Sequence, residues 1–131
     1  MYKRQTRSTS NLVETTITYF KAIEENVKGE KELDYAKSVS EELITDWAKV
    51  LEEPGGIEEA QNALKILEET YKTIYQSKQE NPCLKQFKSC VIGTLKGLVE
   101  VLVEGANINE AIDAAWVSIL GCLVDHMKCM M

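Results

Sequence analysis

Apolar side chains recur every three to four residues along almost the whole chain, and no segment alternates long enough to make a strand. The pattern predicts about five helices. The first covers residues 11–27, with Leu12, Val13, Ile17, Phe20, Ile23 and Val27 on one side, and Asn11 with Glu14 reads as a capping box at its start. Gly29 then interrupts the chain. The second helix, residues 32–53, aligns Leu33, Ala36, Val39, Leu43, Trp47 and Val50, and Pro54-Gly55-Gly56 is the clearest turn signal that follows. The third carries Ile57, Ala60, Leu64, Leu67, Tyr71 and Ile74. It must end near Asn81, because the residue before a proline is pushed out of the helical region.

Asn81-Pro82 opens the fourth helix, with asparagine as N-cap and proline at the first helical position. Gly105 is placed to close it as a left-handed C-cap. Asn107 and Glu110 cap the fifth helix, which runs toward Cys129. Charge divides the chain at this boundary. Residues 10–81 hold 16 acidic and 8 basic side chains, whereas residues 82–131 hold 5 and 4. The C-terminal pair is thus apolar nearly all round, the pattern of helices in the middle of a bundle. The three acidic amphipathic helices of residues 10–81 are expected to wrap it.

Composition narrows the class. The chain has 131 residues, 44% of them hydrophobic and 27% charged, which is the balance of one globular domain. A formal charge of −6 speaks against a nucleic-acid partner, which needs a basic face to meet phosphates. Met1-Tyr2-Lys3-Arg4-Gln5 reads as the translation of a common transposase sequencing adapter whose GTG serves as start codon. Residues 1–5 are therefore set aside as an artefact of a metagenomic reading frame, leaving a single helical domain over residues 6–131. Without Lys3 and Arg4 the formal charge becomes −8. On this reading a signal peptide is lost with a truncated N-terminus.

The cysteines carry the strongest signal. Cys83 and Cys90, and likewise Cys122 and Cys129, lie seven residues apart, two helical turns on one face. In an antiparallel hairpin facing residues have a constant sum. Cys83 with Cys129 and Cys90 with Cys122 both give 212, as do Thr94 with Ser118, Gly97 with Ala115 and Val101 with Ala111. Most of that seam is small. Helices ordinarily pack about 8–10 Å apart, and a disulfide needs Cα atoms about 4.4–6.8 Å apart, so small residues at the contact let the backbones approach. Two rungs, Cys83–Cys129 and Cys90–Cys122, are expected to clamp the hairpin. The alternatives are four buried free thiols and a four-cysteine zinc site. The members of each pair lie roughly 10 Å apart along the helix, too far for one metal with 2.3 Å bonds. Paired cysteines place the protein in an extracellular, periplasmic or lumenal compartment.

Little else points to chemistry. His126 follows Cys122 by four residues and precedes Cys129 by three, so a Cys–His nucleophile pair or a Cys/His site with Asp125 is conceivable. A disulfide consumes the thiol both would need, and a partly exposed histidine near a helix C-terminus is the plainer reading. The glutamate pairs 24–25, 41–42, 52–53, 58–59 and 68–69 diverge by about 100° on a helix and form no dyad. Lysines three or four residues away, as in Glu24 with Lys28 and Glu68 with Lys72, mark solvated faces. There is no Glu-x-x-His element for a di-iron bundle and no phosphate loop, so no catalytic residue, metal or cofactor is expected. Gly93 and Gly97 form a G-x-x-x-G, read as close packing of a soluble hairpin rather than as a membrane motif. Tyr19, Phe20, Tyr35, Trp47, Tyr71, Tyr75, Phe87 and Trp116 read as core more than as the lining of an apolar-ligand pocket.

The expectation is thus an all-α single-domain bundle with a disulfide-clamped antiparallel C-terminal hairpin at its centre. Its function is that of a small secreted or lumenal binding protein for a protein partner or an apolar small molecule, not an enzyme. Two alternatives stand beside it: a membrane-active, pore-forming or toxin-like protein whose hairpin inserts, and a cytosolic adaptor with reduced cysteines.

Overall fold

Five α-helices follow one another in the computed structural model, which describes residues 9–75 and 81–130. They are α1 (Thr9–Asn26), α2 (Leu33–Leu51), α3 (Gly56–Tyr75), α4 (Pro82–Val103) and α5 (Ile108–Met130). Residues 1–5 and the chain between α3 and Asn81 lie outside the described residues, and with them the adapter reading and the end expected for the third helix.

Punctuation residues explain most boundaries. Asn81 accepts a 2.7 Å hydrogen bond from the Cys83 amide and Pro82 follows as the first helical residue. Asn107 accepts from the Asn109 and Glu110 amides at 2.9 and 3.3 Å. At the end of α4, Gly105 takes a φ of 101°, and the Gly105 and Ala106 amides return to the Leu102 and Val101 carbonyls. That is the paired bonding of a Schellman cap. Asn11 does not cap α1: the helix already runs through Thr9, and an exposed asparagine within the first turns costs little.

Glu32 does not cap α2 with its side chain. Its carboxylate instead accepts from the Lys28 and Gly29 amides at 2.9 and 3.0 Å, satisfying donors left over where α1 ends. The turn from α2 to α3 needs both of its glycines. Gly55 has a φ of 77°, and a Cβ on Gly56 would collide with the Val50 carbonyl.

The buried side chains of all five helices form one contiguous cluster. α2 packs on α3, α3 on α4, α4 on α5, and α5 returns to α2, while α1 lies against α2 and α3. The α4–α5 pair is the most extensive contact. Phe20 of α1 sits between helices, its ring edge-on to Tyr71 of α3 at 5.3 Å and to Phe87 of α4 at 6.1 Å. Lys88, which periodicity alone would leave in solvent, is buried with its ammonium 5.1 Å from the Tyr71 ring centroid and 6.0 Å from that of Phe20.

Buried polar atoms between α1 and α2 satisfy each other. The Trp47 indole donates to Thr16 Oγ1 at 3.0 Å, and that hydroxyl donates to the Leu12 carbonyl at 2.9 Å. Tyr19 and Ser40 share a 2.7 Å hydrogen bond. Burial drives the Tyr19 phenol far above its ordinary pKa, against the smaller opposing effect of Ser40, so it stays protonated.

One architectural expectation is corrected. The C-terminal hairpin is not the middle of the bundle wrapped by the other three helices. α4 and α5 form one side of it, and each leaves an outward arc in solvent. They look apolar all round because that arc carries valine, alanine and glycine, not because it is covered.

Candidate functional site

The disulfides join α4 to α5, Cys83 to Cys129 and Cys90 to Cys122, with Cα atoms 5.6 and 5.8 Å apart. Both rungs lie toward the ends of the two helices that are far from the connecting turn. They hold together the end of the hairpin that the chain itself does not close. Among the described residues no free cysteine remains.

His126 lies between the rungs. It is buried, its ring is 5.0 Å from that of Phe87, and its Nδ1 is 3.3 Å from the Cys83 carbonyl. The partly exposed position expected for it is therefore corrected: the inward face of α5 carries it into the core with Ile119, Leu123 and Met127. Cys122 and Cys129 are near it in sequence, but their sulfurs are bonded and provide no thiolate. Among the described residues no group of three His, Cys, Asp or Glu side chains stands together as a metal site.

Burial holds the His126 imidazole below its usual pKa of 6.5, and the Cys83 carbonyl opposes this in part. The folded chain thus resists a proton that the unfolded chain accepts. Below about pH 6.5 the unfolded state binds more protons, so stability is lost as pH falls through that value. The urea midpoint is expected to drop between about pH 7.5 and pH 5.5, and His126→Phe should flatten the drop. An equal drop in the variant would assign it to other groups.

The glutamate pairs lie at the surface, with Glu53 and Glu59 half-buried there. Lys28 Nζ reaches the backbone carbonyl of Glu24 at 3.3 Å, and Glu68 pairs with Lys96 of α4 at 3.4 Å rather than with Lys72 on its own helix. An exposed pair of this kind is worth about 0–1 kcal/mol. Phe20, Trp47, Tyr71 and Phe87 are consumed by the core. The side chain of Tyr75 lies outside the described residues. Tyr35 is exposed and touches Asn26, and Trp116 is half-buried.

What remains is the outer face of the hairpin. Val117 is 67% exposed, Val103 56%, Val124 43% and Val101 38%. Of these, Val101 borders a groove of about 390 Å³ between the helices, lined by Gly93, Thr94 and Gly97 of α4 and by Ala114, Ala115 and Ser118 of α5. The sequence marked this seam as the place where the backbones touch.

The glycines need a different explanation. A Cβ at Gly93, Gly97 or Gly121 would meet nothing within 4 Å. Close packing inside the hairpin therefore does not require the G-x-x-x-G. Glycine within a helix costs about 0.8–1 kcal/mol relative to alanine. Gly93→Ala should accordingly stabilise the fold by about that amount, raising Tm by roughly 3 °C for a chain of this length. Thermal unfolding of the variant checks this, and a destabilised variant would restore the packing explanation.

Other grooves are open and carry charged residues at their borders. One between α1 and α2, about 350 Å³, is bordered by Glu14, Glu42 and Asp46. Another, about 540 Å³, lies between α3 and α4 among Glu58, Lys65, Glu68 and Lys96. Among the described residues no helix is long and apolar enough to cross a membrane. No protein-family model matches the chain, no curated protein shows significant similarity to it, and no solved structure matches it. The residues alone describe a small all-helical fold whose two structural disulfides are consistent with an oxidising environment.

Proposed function

We propose that this protein is a small helical interaction module of an extracytoplasmic, oxidising compartment. It binds a protein partner on the outer face of α4 and α5 and has no catalytic mechanism of its own. The observation that carries this reading is the pair of solvent-facing valines, Val117 and Val124, two turns apart on one face of α5 within the covalently clamped hairpin. Apolar or small exposed residues continued along one stripe, here Ala114, Val117, Gly121 and Val124, mark an interaction site. A clamped face is also pre-organised, so docking on it costs little conformational entropy.

The apolar-ligand form of the reading has less support. The large aromatic side chains pack on one another, and the grooves are open surface rather than chambers. Membrane activity would have to come from surface contact of the valine face or from rearrangement of the hairpin. A reduced cytosolic adaptor fits poorly with two bonded cysteine pairs. The test offers the oxidised protein to a fluorescent fatty-acid probe and to dye-loaded vesicles of phosphatidylcholine, with and without phosphatidylglycerol. Neither saturable probe binding nor dye release is expected. Saturable binding of the probe would replace the protein partner with an apolar ligand, and dye release would replace it with a membrane.

A further inference from the structure

The exposed face of α5 has a register of its own. Glu110, Ala114, Val117, Gly121, Val124 and Lys128 follow at spacings of four, three, four, three and four residues, the repeat of a coiled-coil seam. Within α5 the repeat runs from Glu110 to Lys128, all but the two residues at each end, and all six residues are exposed. A helix whose opposite face is already packed on α2 and α4 thus presents a second seam with none of the described elements packed against it.

The seam is complementary to itself when reversed. With residue numbers summing to 238, Val117 opposes Gly121, Val124 opposes Ala114, and Glu110 opposes Lys128. Each large side chain meets a small one and each charge meets its opposite. A two-fold axis makes each pairing twice, which is how an isologous interface is built. We infer that the partner of this face is a second copy of the chain, the two copies pairing α5 to α5, antiparallel, in that register. This rests on the protein-binding reading above and names its partner.

Charge favours this occupant. An antiparallel copy brings Lys128 to Glu110 at both ends, whereas a parallel copy would set Glu110 on Glu110 and Lys128 on Lys128. Gly121, a position where a Cβ would meet nothing within 4 Å among the described residues, becomes the notch that receives the partner's Val117. The seam is about 27 Å long and a helix face about 10 Å wide. That is about 270 Å² a side, well below the total of about 1,200 Å² at which stable interfaces begin, so a weak, reversible dimer with a Kd of about 100 μM is expected.

Sedimentation velocity of the oxidised protein from about 1 to about 300 μM tests it. A monomer–dimer equilibrium is expected. Val117→Asp should weaken it at least tenfold. Gly121→Leu should do the same while holding or raising Tm, an outcome that misfolding does not produce. Glu110→Lys alone should weaken association several-fold, and Glu110→Lys combined with Lys128→Glu should restore it.

A monomer throughout the range would overturn the self-pairing and leave the protein-binding reading to its own test. A dimer indifferent to Val117→Asp and Gly121→Leu would overturn the assignment to α5. Failure of the double charge exchange to restore binding would overturn the antiparallel register. Vesicle binding lost on Val117→Asp would give the face to a membrane and overturn both readings.

Discussion

Reducing both disulfides is expected to remove about 7 kcal/mol of stability, and the size follows from nesting. The inner rung, Cys90–Cys122, closes a loop with a sequence separation of 32, and the outer rung, Cys83–Cys129, one of 46. Closing the inner loop alone restricts the unfolded chain by about 3.7 kcal/mol. With it closed, the outer rung constrains only the roughly 14 residues left between the two, for about 3 kcal/mol more. Losing either rung alone therefore costs about 3 kcal/mol, because the remaining one still closes most of the loop.

The combined loss rivals the entire stability of an ordinary domain, about 5–15 kcal/mol. It corresponds to roughly 25 °C in Tm. Urea titrations of the oxidised and reduced protein, and of Cys83→Ala/Cys129→Ala and Cys90→Ala/Cys122→Ala, measure each step. A reduced protein with an unchanged midpoint would refute the account. It would also remove the reason for an oxidising compartment.

Phe20→Ala is the point substitution with the largest expected effect, about 3–5 kcal/mol. Phe20 is 1% exposed. Its ring meets Tyr71 of α3 edge-on at 5.3 Å and Phe87 of α4 at 6.1 Å, with the Lys88 ammonium 6.0 Å from its centroid. Truncation opens a cavity where α1, α3 and α4 meet and deprives the buried Lys88 ammonium of a neighbouring ring. Phe20→Leu keeps most of the volume and should cost no more than about 1.5 kcal/mol. The urea midpoints of the two variants give the comparison. An alanine variant within about 1 kcal/mol of the parent would show that the site collapses freely, and that the ring cluster is not what holds α1 down.

Much of the architecture was legible before any coordinates. Periodicity of 3.6 residues located five helices, and Asn81-Pro82, Gly105 and Asn107 marked ends that local hydrogen bonds do set. The antiparallel hairpin with two disulfides across it followed from number sums along a helical face. These are short-range properties: they depend on backbone geometry within one turn or on one pair of helices in register. Where the expectation slipped locally, at Asn11, a side chain able to cap lay inside the helix rather than at its start.

Placement of the helices relative to one another was decided only by the tertiary structure. A run such as Val117-Ser118-Ile119-Leu120-Gly121-Cys122 looks the same in sequence whether its helix lies at the centre or at the edge of a bundle. Hydrophobic pattern counts apolar residues and does not say which neighbour covers them. Packing put Ile119 and Cys122 inside and left Val117 and Gly121 in solvent. It carried Lys88 and His126 inward, since a helix turns whatever residue shares the stripe toward the core. It also separated two meanings of a small residue, one that lets its own chain close and one that leaves room for another. The sequence by itself determined helices, caps and the clamped hairpin, because these rest on local geometry. The exposed seam of α5 exists only because α2 and α4 cover the rest of that helix.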